Sequence, residues 1–300
     1  IKDHALFGGV VPEIASRKHI ESVIPVITAA LSEADLTLDD IDGIAVTKGP
    51  GLVGSLLVGL SVAKSIAFAR NLPLAGVNHI EGHLTSIFLE SEVGFPYLGL
   101  IVSGGHTSLF LVKGFCEYEL IGRTIDDAAG EVLDKVGKVL GLGYPGGAAM
   151  DRLAKVGDPE AIDFPRGFLK KDNFDFSFSG MKTAASQFIK KQPVEMLPPM
   201  INDIAASFQE SVVDVLVKKT IKAAEAHNVK SIVISGGVAC NSRLRDLLKN
   251  EAELRKMKSF FPSPILCTDN GAMIAALGYH YLKRGRRADL SMNAEARLAI

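Results

Sequence analysis

The architecture of this chain is set by Leu72-Pro73-Leu74-Ala75-Gly76-Val77-Asn78-His79-Ile80-Glu81-Gly82-His83. The first seven residues are mostly apolar and predict a buried β-strand, and a helix is predicted to begin at His79. His79 and His83 would project from one face of that helix, about 5–6 Å apart at Cβ. Open α/β sheets bind their ligands at the carboxyl ends of strands. The sequence therefore predicts an α/β protein whose two histidines bind one metal ion, in preference to a histidine pair on a solvated helix face.

Two known motifs resemble the histidine pair but do not fit it. The zinc-protease motif H-E-x-x-H has its glutamate directly after the first histidine, whereas Ile80 occupies that position here. The deaminase motif begins H-x-E, which His79 to Glu81 matches, but it also requires P-C-x-x-C. The cysteines are too dispersed to supply that part: Cys116, Cys240 and Cys267. The pair therefore needs a third ligand from elsewhere in the chain.

The composition limits the possible classes of protein. The 300 residues are 47% hydrophobic and include 29 glycines, which is enough for a large core and two lobes. A formal net charge of -1 gives no whole-chain signature of nucleic-acid binding, so any RNA contact must come from a local basic patch or a partner. Scattered cysteines fit a reducing compartment. The sequence shows no apolar run of about 18 residues and no signal peptide, so we expect a soluble cytoplasmic protein without a membrane segment.

Strand and helix patterns alternate along the chain. A helix with an apolar face is predicted after Pro12, and a helix running to about Arg70 follows the strand at 41–47. Residues 157–182 lack periodicity and are rich in Asp, Pro, Phe and Lys, so they are predicted to form a surface insertion or lid. The remaining predictions are strands between 97 and 112, a helix at 126–140, a long helix at 203–227 and a strand at 231–234.

The glycine-rich stretches of the chain predict three different kinds of turn. Residues 49–54 match the dinucleotide-binding motif G-x-G-x-x-G. However, Pro50 removes a backbone donor from the loop, and the next strand does not end in the acidic residue that would bind a ribose. A tight turn that packs a helix on the sheet is therefore favoured over a dinucleotide site. The turn at 141–146 follows a helix and is interpreted as a helix stop. Ser103-Gly104-Gly105-His106-Thr107 offers amides and two hydroxyls that suit phosphate oxygens, and a plain β-hairpin turn explains it equally well. A second such turn is Ser235-Gly236-Gly237.

Asp269 precedes a helix of small residues that is predicted from Met273 to Tyr279. It could cap that helix, which is the commonest role of an aspartate at such a position. It could also be the missing carboxylate ligand of the metal. Sequence spacing alone leaves both interpretations open.

Taken together, these stretches resemble the TsaD family, the bacterial members of the universal tRNA threonylcarbamoyl-transferase proteins. The matching segments run in family order: 8–17, 49–52, 79–83, 102–107, 126–131, 144–147, 176–183, 235–239 and 267–270. The resemblance implies an actin-like ATPase fold, similar to sugar kinases and heat-shock chaperones, with a nucleotide cleft between two α/β lobes. We therefore expect an N-terminal lobe at 1–97, a C-terminal lobe at 98–279 that includes the insertion, and a segment at 280–300, with the C-terminal helix returning to the first lobe.

The resemblance implies an enzyme that moves a threonylcarbamoyl group from threonylcarbamoyl-adenylate to N6 of adenosine 37 in tRNAs that read ANN codons. It implies one divalent metal, Fe²⁺ or Zn²⁺, held by His79, His83 and Asp269, and an ATP/AMP-type nucleotide as part of the adenylate substrate. The implied contacts to phosphate, acyl group and nucleoside are Ile101, Val102, Ser103, Gly104, Gly105, Asp134, Gly147, Asp151 and Asn241. The candidate catalytic residues are Glu81, Ser103 and His106, and Glu81 is favoured as support for a ligand histidine over a general base.

Two other functions stay open: a noncatalytic nucleotide-binding scaffold of the same fold, and an ATPase. The resemblance also implies partners, namely a TsaB-like pseudo-enzyme subunit, a TsaE-like small ATPase and a synthase that makes the adenylate. Several basic residues could contact tRNA phosphates, and a solvated surface explains them equally well: Arg166, Lys170, Lys171, Lys182 and Lys283 to Arg287.

The chain departs from the family pattern at two places. Members begin with a glycine-containing strand and a Thr-Ser-Cys-Asp turn, and nothing before Ile1 matches them, so the first lobe is expected to lack that hairpin. Ile101 stands where archaeal relatives carry a metal-binding tyrosine, so no phenolate ligand is expected.

Overall fold

The computed structural model describes residues 9–167 and 173–300, so the predicted RNA contacts Lys170 and Lys171 lie outside the described residues. The helices are α1 (Pro12–Glu33), α2 (Val53–Arg70), α3 (His79–Thr85), α4 (Ala129–Val139), α5 (Gly146–Ala154), α6 (Ser179–Lys191), α7 (Leu197–Ala226), α8 (Ser242–Leu254), α9 (Pro264–Cys267) and α10 (Gly271–Lys283). The strands are β1 (Ile44–Gly49), β2 (Leu74–Asn78), β3 (Tyr97–Val102), β4 (Thr107–Gly114), β5 (Glu117–Arg123), β6 (Ser231–Ser235) and β7 (Lys258–Phe260).

The chain forms two compact units. One unit contains the residues up to Leu89 together with Asn270–Ile300, and the other is Glu90–Asp269. The predicted lobe boundary at residue 97 lies close to the first division, whereas the one at residue 279 falls within α10. The whole of α10 belongs to the first unit because it packs on β1 and α3.

In the first unit, β1 and β2 pair as parallel strands, with Ile44 opposite Leu74. A parallel pair needs a crossover connection, and α2 supplies it. β2 ends at Asn78, whose side chain accepts a hydrogen bond from the Ile80 amide at 2.9 Å. This N-cap starts α3 at His79. The strand-to-helix junction predicted from the sequence is confirmed.

Helix α10 packs closely on the sheet of the first unit. A Cβ atom on Gly278 would lie 2.2 Å from the Cβ atom of Ala45, so only glycine lets the helix come this near to β1. The chain after α10 stays on the same sheet, since the Ala288 amide donates to the Leu74 carbonyl at 2.8 Å. The last helix and the residues after it therefore complete the packing of the first unit.

The second unit is built on a mixed sheet with the strand order β5-β4-β3-β6-β7. β3 and β7 each pair with β6 in parallel, whereas β3, β4 and β5 form antiparallel neighbours. Every residue of β3 is buried, as is expected of a strand inside an α/β sheet. The long helix α7 packs against β3 and is buried along much of its length.

The two Ser-Gly-Gly turns leave neighbouring strands of this sheet. Ile101 of β3 lies opposite Ser235 of the parallel strand β6, so both turns start from the same edge. The first turn joins β3 to the antiparallel strand β4, which makes it a β-hairpin turn, one of the two interpretations of the sequence. In the second turn, Gly236 has a φ angle of 97°, and a Cβ atom there would lie 2.4 Å from the Val102 carbonyl oxygen. Glycine is therefore required at that position.

The prediction that residues 157–182 form a surface insertion is partly wrong. Phe164 is 3% exposed, and Phe176 and Phe178 are 0% exposed; all three rings belong to the main core of the second unit. Phe176 also forms a β-bridge with Thr124. Large aromatic rings gain much free energy from burial wherever they lie in the sequence. Core residues in an irregular segment show no periodicity, which is why the pattern indicated surface.

Among the described helices, α2 alone is long and apolar enough to cross a membrane, judged by length and composition. Only 17% of it is buried within the protein. It nevertheless packs on β1 and α1 in the first unit. One such helix is weak evidence for a membrane span.

We expect Gly278→Ala to destabilise the protein by about 1–3 kcal/mol, because the new methyl group must push α10 away from Ala45. The matched control is Gly271→Ala in the first turn of α10, where a Cβ atom would meet no described atom within 4 Å. Both substitutions gain helix propensity, so a difference between them reports packing. Urea unfolding followed by circular dichroism measures both variants. Equal unfolding midpoints would contradict the packing argument.

Candidate active site

Three possible metal ligands come together beside α3: His79, His83 and Asp269. The ring centroids of the two histidines are 4.7 Å apart, and the ligand atoms of all three residues lie within 4.8 Å of one another. His83 is buried, His79 is half-buried and Asp269 is exposed. Two imidazole nitrogens and one carboxylate oxygen are donors that zinc and non-haem iron sites use. The donor set therefore fits one divalent ion.

Asp269 is held beside α3 by the start of α10. A peptide bond joins it to Asn270, whose side chain accepts the Met273 amide at 2.9 Å and caps α10. The first turn of α10 packs on Gly82 of α3, where a Cβ atom would lie 3.1 Å from Ile274 Cδ1. The interpretation of Asp269 as the helix cap is therefore wrong, because Asn270 performs that role. The carboxylate of Asp269 lies with the histidines instead.

Glu81 lies between the two histidines in sequence and is only 9% exposed. Its Oε2 atom accepts a hydrogen bond from the Tyr281 hydroxyl of α10 at 2.8 Å. A buried carboxylate needs such a donor, because burying an unpaired charge is costly. Tyr281 was not predicted from the sequence, although a tyrosine in an apolar helix carries a hydroxyl that needs a partner once it is buried. This hydrogen bond ties α10 to α3, the two helices that position the three ligands.

The first Ser-Gly-Gly turn is closed by its own serine. Ser103 Oγ accepts hydrogen bonds from the amides of Gly105 at 3.3 Å and His106 at 3.1 Å. The Thr107 hydroxyl accepts the Ala129 amide at 2.9 Å. Two amides of the turn therefore donate within it, so an anion at this turn would have to be bound by the remaining donors. Ser103 still has its own hydroxyl proton to donate.

The residues on either side of Ser103 differ in their exposure to solvent. Gly104 and Gly105 are exposed, and a Cβ atom on either would meet no atom of the described residues within 4 Å. Neither has a positive φ angle, so the backbone conformation does not require glycine at either position. Ile101 and Val102 are 1% and 0% exposed, so their buried side chains cannot reach a ligand.

Asp134 and Gly147, two predicted nucleoside contacts, are hydrogen-bonded to each other. The Gly147 amide, in the first turn of α5, donates to Asp134 Oδ1 at 2.8 Å. Burial raises the pKa of Asp134, and hydrogen bonds from the amides of Gly147 and Gly146 oppose that rise. The carboxylate of Asp134 therefore lies at the amino end of α5, where the helix dipole favours negative charge.

Asp151 and Asn241, the other two predicted nucleoside contacts, lie where α8 begins. Asp151 Oδ1 accepts hydrogen bonds from the Ser242 hydroxyl at 2.9 Å and amide at 3.2 Å. Asn241 is buried; it accepts the Leu244 amide at 2.9 Å and donates to Gln209 at 2.7 Å. Both side chains therefore help to form the start of α8. Sequence reasoning missed Ser242 and Gln209, whose partners lie 91 and 32 residues away in the chain.

The described basic residues near the irregular segment at 157–182 are neutralised by acidic partners. Arg166 pairs with Asp214 at 3.0 Å and with Asp163 at 3.1 Å. Lys182 pairs with Asp127. Since an ion pair offsets the charge that would attract a phosphate, these two side chains are unsuited to the predicted RNA contact.

The sequence is similar to known transferases over nearly its whole length. A sequence model of the TsaD family, described as tRNA N6-adenosine threonylcarbamoyltransferase, matches residues 1–276. The protein of that name from Geobacter sulfurreducens is 57% identical over 296 residues, which cover 98% of this chain and 86% of that protein. The one from Syntrophus aciditrophicus is 53% identical over 298 residues, which cover 99% of this chain and 88% of that protein.

Two solved structures of HypF resemble the fold. HypF of T. kodakarensis superposes with a TM-score of 0.62 at 14% identity, covering 84% of this chain and 42% of that chain. Full-length HypF in a phosphate- and nucleotide-bound form gives 0.62 at 15% identity, covering 83% and 48%. At such low identity the likeness shows the fold alone, and it agrees with the predicted fold class.

We expect His83→Ala and Asp269→Ala each to reduce bound metal from about one equivalent to a small fraction, because each removes one of three protein ligands. Mass spectrometry of metal content in the purified protein measures the change. The control is His19→Ala, which removes an exposed histidine of α1 outside the ligand group. Unchanged metal content in both ligand variants would overturn the assignment of the site.

We expect Tyr281→Phe to weaken metal affinity about 10–100-fold, the usual effect of losing a group that orients metal ligands. The variant leaves Glu81 buried without the hydroxyl donor, which loosens the tie between α3 and α10. Competition with a chelating dye measures the affinity. Tyr279→Phe is the matched control, since it removes an exposed hydroxyl from the same helix. Equal affinities in the two variants would show that Tyr281 does not support the ligands.

Proposed function

We propose a function on the premise that the chain belongs to the TsaD family of tRNA N6-adenosine threonylcarbamoyltransferases. As a member, it is a transferase that attaches a threonylcarbamoyl group to N6 of an adenosine in tRNA. The donor is threonylcarbamoyl-adenylate, and the acceptor is adenosine 37 of tRNAs that read ANN codons. The reaction releases AMP.

The grouping of His79, His83 and Asp269 is the observation that carries this proposal. We assign to these residues one divalent ion, Fe²⁺ or Zn²⁺, because imidazole and carboxylate ligands suit both metals. When bound, the ion would supply Lewis-acid charge for oxygens of the donor. A noncatalytic scaffold would not need a metal-ligand group of this kind, which argues against that alternative.

The transfer forms a bond between N6 and the carbamoyl carbon and breaks the bond from that carbon to a phosphate oxygen. The amine releases one proton to water, and AMP leaves with the electron pair of the broken bond. Negative charge therefore grows on the carbonyl oxygen and on the phosphate. Donors fixed in place before the reaction stabilise such charge most effectively.

Ser103 is the residue best suited to donate a hydrogen bond to that charge. Its oxygen already accepts two amide hydrogen bonds, which fix its position and polarise the hydroxyl. Gly104 and Gly105 leave room for the phosphate to approach the backbone. His106 adds a polar side chain to the same turn. The strand residues Ile101 and Val102 can contribute only through their backbone, at the end of β3.

The nucleoside of the adenylate is assigned to Asp134, Gly147, Asp151 and Asn241. Support comes from the positions of these residues on α4, on α5 and at the start of α8 in the second unit. Carboxylate oxygens of Asp134 and Asp151 can accept hydrogen bonds from ribose hydroxyls. The absence of a side chain at Gly147 leaves room beside Asp134.

Glu81 supports the helix that carries the histidines, and we do not assign it as the general base. Its carboxylate is buried and already accepts a hydrogen bond from Tyr281. The chain acts in the cytoplasm with a TsaB-like pseudo-enzyme subunit, a TsaE-like small ATPase and a synthase that supplies the adenylate. The family resemblance is the support for these partners and for this location.

We expect the double variant His79→Ala and His83→Ala to lower transfer to tRNA by at least about 100-fold, the size of effect seen when one strong electrostatic group is removed. The assay follows labelled threonine into unmodified tRNA, with the synthase and partner proteins present. His19→Ala should transfer at the rate of the unchanged protein. Full transfer by the double variant would refute the metal-dependent mechanism, and steady ATP turnover without tRNA or partners would favour the ATPase.

A further inference from the structure

Four cationic side chains cluster where α10 ends: Lys283, Arg284, Arg286 and Arg287. All four are exposed. No carboxylate in residues 9–167 or 173–300 forms an ion pair with any of them. Their charge is therefore available to an external anion, in contrast to that of Arg166 and Lys182.

Aromatic rings hold two of these cations without neutralising them. Lys283 Nζ lies 5.5 Å from the centroid of the Tyr279 ring, and the Arg286 guanidinium lies 5.5 Å from that of Tyr281. A cation above a ring is attracted to it and keeps its full charge. Tyr279 is 59% exposed, so part of its ring remains open to solvent.

The surroundings of the cluster contain further basic residues as well as acidic ones. Burial lowers the pKa of His280, and the neighbouring cations Arg284 and Lys283 lower it further. A surface cavity of about 320 Å³ adjoins the cluster and is lined by Arg286 and Arg287, together with Lys48. Lys48 is ion-paired with Glu295 at 3.2 Å, so the two arginines supply its unpaired positive charge. The acidic residue in its lining is Asp289, which accepts the Ser291 amide at 2.7 Å.

The position on α10 relates the cluster to the transfer site. Helix α10 begins beside the ligand Asp269 and runs for 13 residues. At 1.5 Å per residue, its last residue lies about 18 Å along the axis from its first. An RNA that presents one base at the metal ligands has backbone on both sides of that base, so its phosphates can extend over this distance.

We propose that Lys283, Arg284, Arg286 and Arg287, together with Tyr279, form a surface that binds the phosphate backbone of the tRNA substrate. This inference rests on the proposed function and deepens it by assigning the substrate contact. Unpaired cations attract RNA phosphates and release bound counterions. The exposed tyrosine ring can stack on an unpaired base, as aromatic side chains do in single-stranded RNA recognition.

The test compares two double variants of the full chain that remove the same charge. Arg284→Gln with Arg287→Gln neutralises two unpaired cations and spares the residues stacked on tyrosines. The control, Arg17→Gln with Arg255→Gln, neutralises arginines that pair with Glu13 at 2.7 Å and with Glu225 at 2.9 Å. Binding to unmodified tRNA is measured between about 0.05 and 0.2 M salt. Metal content and thermal unfolding verify that both variants are folded.

The α10 variant should bind tRNA more weakly than the unchanged protein. The slope of log affinity against log salt concentration should fall in magnitude by about 1.4–1.8, which is about 0.7–0.9 for each lost phosphate contact. The control should keep the slope of the unchanged protein. If the α10 variant also keeps that slope, the surface does not bind RNA. If the unchanged protein and its partners neither bind nor modify tRNA, the proposed function itself fails, which is a different result.

Discussion

The close packing of α10 against β1 and α3 is the constraint on which the candidate site depends. Two glycines make it possible, because a side chain on Gly278 would meet Ala45 and one on Gly82 would crowd Ile274. The packing brings a helix from the end of the chain onto a sheet formed early in it. The residue just before that helix is Asp269, so the same packing places a carboxylate beside the histidines. The candidate metal site therefore depends on packing between helices at positions that are not themselves candidate ligands.

The hydrogen bond between Tyr281 and Glu81 fixes how α10 is oriented against α3. Apolar contacts between helices tolerate small shifts, whereas a hydrogen bond to a buried carboxylate depends on distance and angle and so favours a single arrangement. The bond spans the same two helices and joins residues that are 200 positions apart. Tyr281 also contacts Arg286, so one side chain touches both the support of the ligand helix and the cationic surface. Helix α10 thus begins beside the candidate metal ligands and ends at the cationic surface.

Periodicity and residue chemistry predicted the parts of this fold that are local in sequence. The buried strand, its Asn78 boundary and the spacing of the histidines all lie within one short stretch, and the structure agrees with that stretch. The capping of α10 by Asn270 instead of Asp269 could not be predicted, because both residues suit the position and only packing against α3 separates them. Phe176 was assigned to the surface because burial in an irregular segment leaves no periodic pattern. Side-chain partners that are far apart in sequence carry no local signal at all.

The structural hydrogen bonds of the serine turn are compatible with the anion-binding role proposed for it. Ser103 Oγ accepts two amide hydrogen bonds, which close the hairpin and would be made in any protein with this turn. These two bonds occupy both lone pairs of the Ser103 oxygen, so the hydroxyl can interact with a ligand only by donating its proton. A hydroxyl fixed in this way loses little freedom when it donates, so its hydrogen bond to a developing negative charge costs little reorganisation. Gly104 and Gly105 need no glycine for their own backbone, yet they keep the space beside that hydroxyl open. The hairpin and the anion-binding interpretations of this turn are therefore compatible. The two amide hydrogen bonds that close the hairpin also hold the Ser103 hydroxyl in place as a donor.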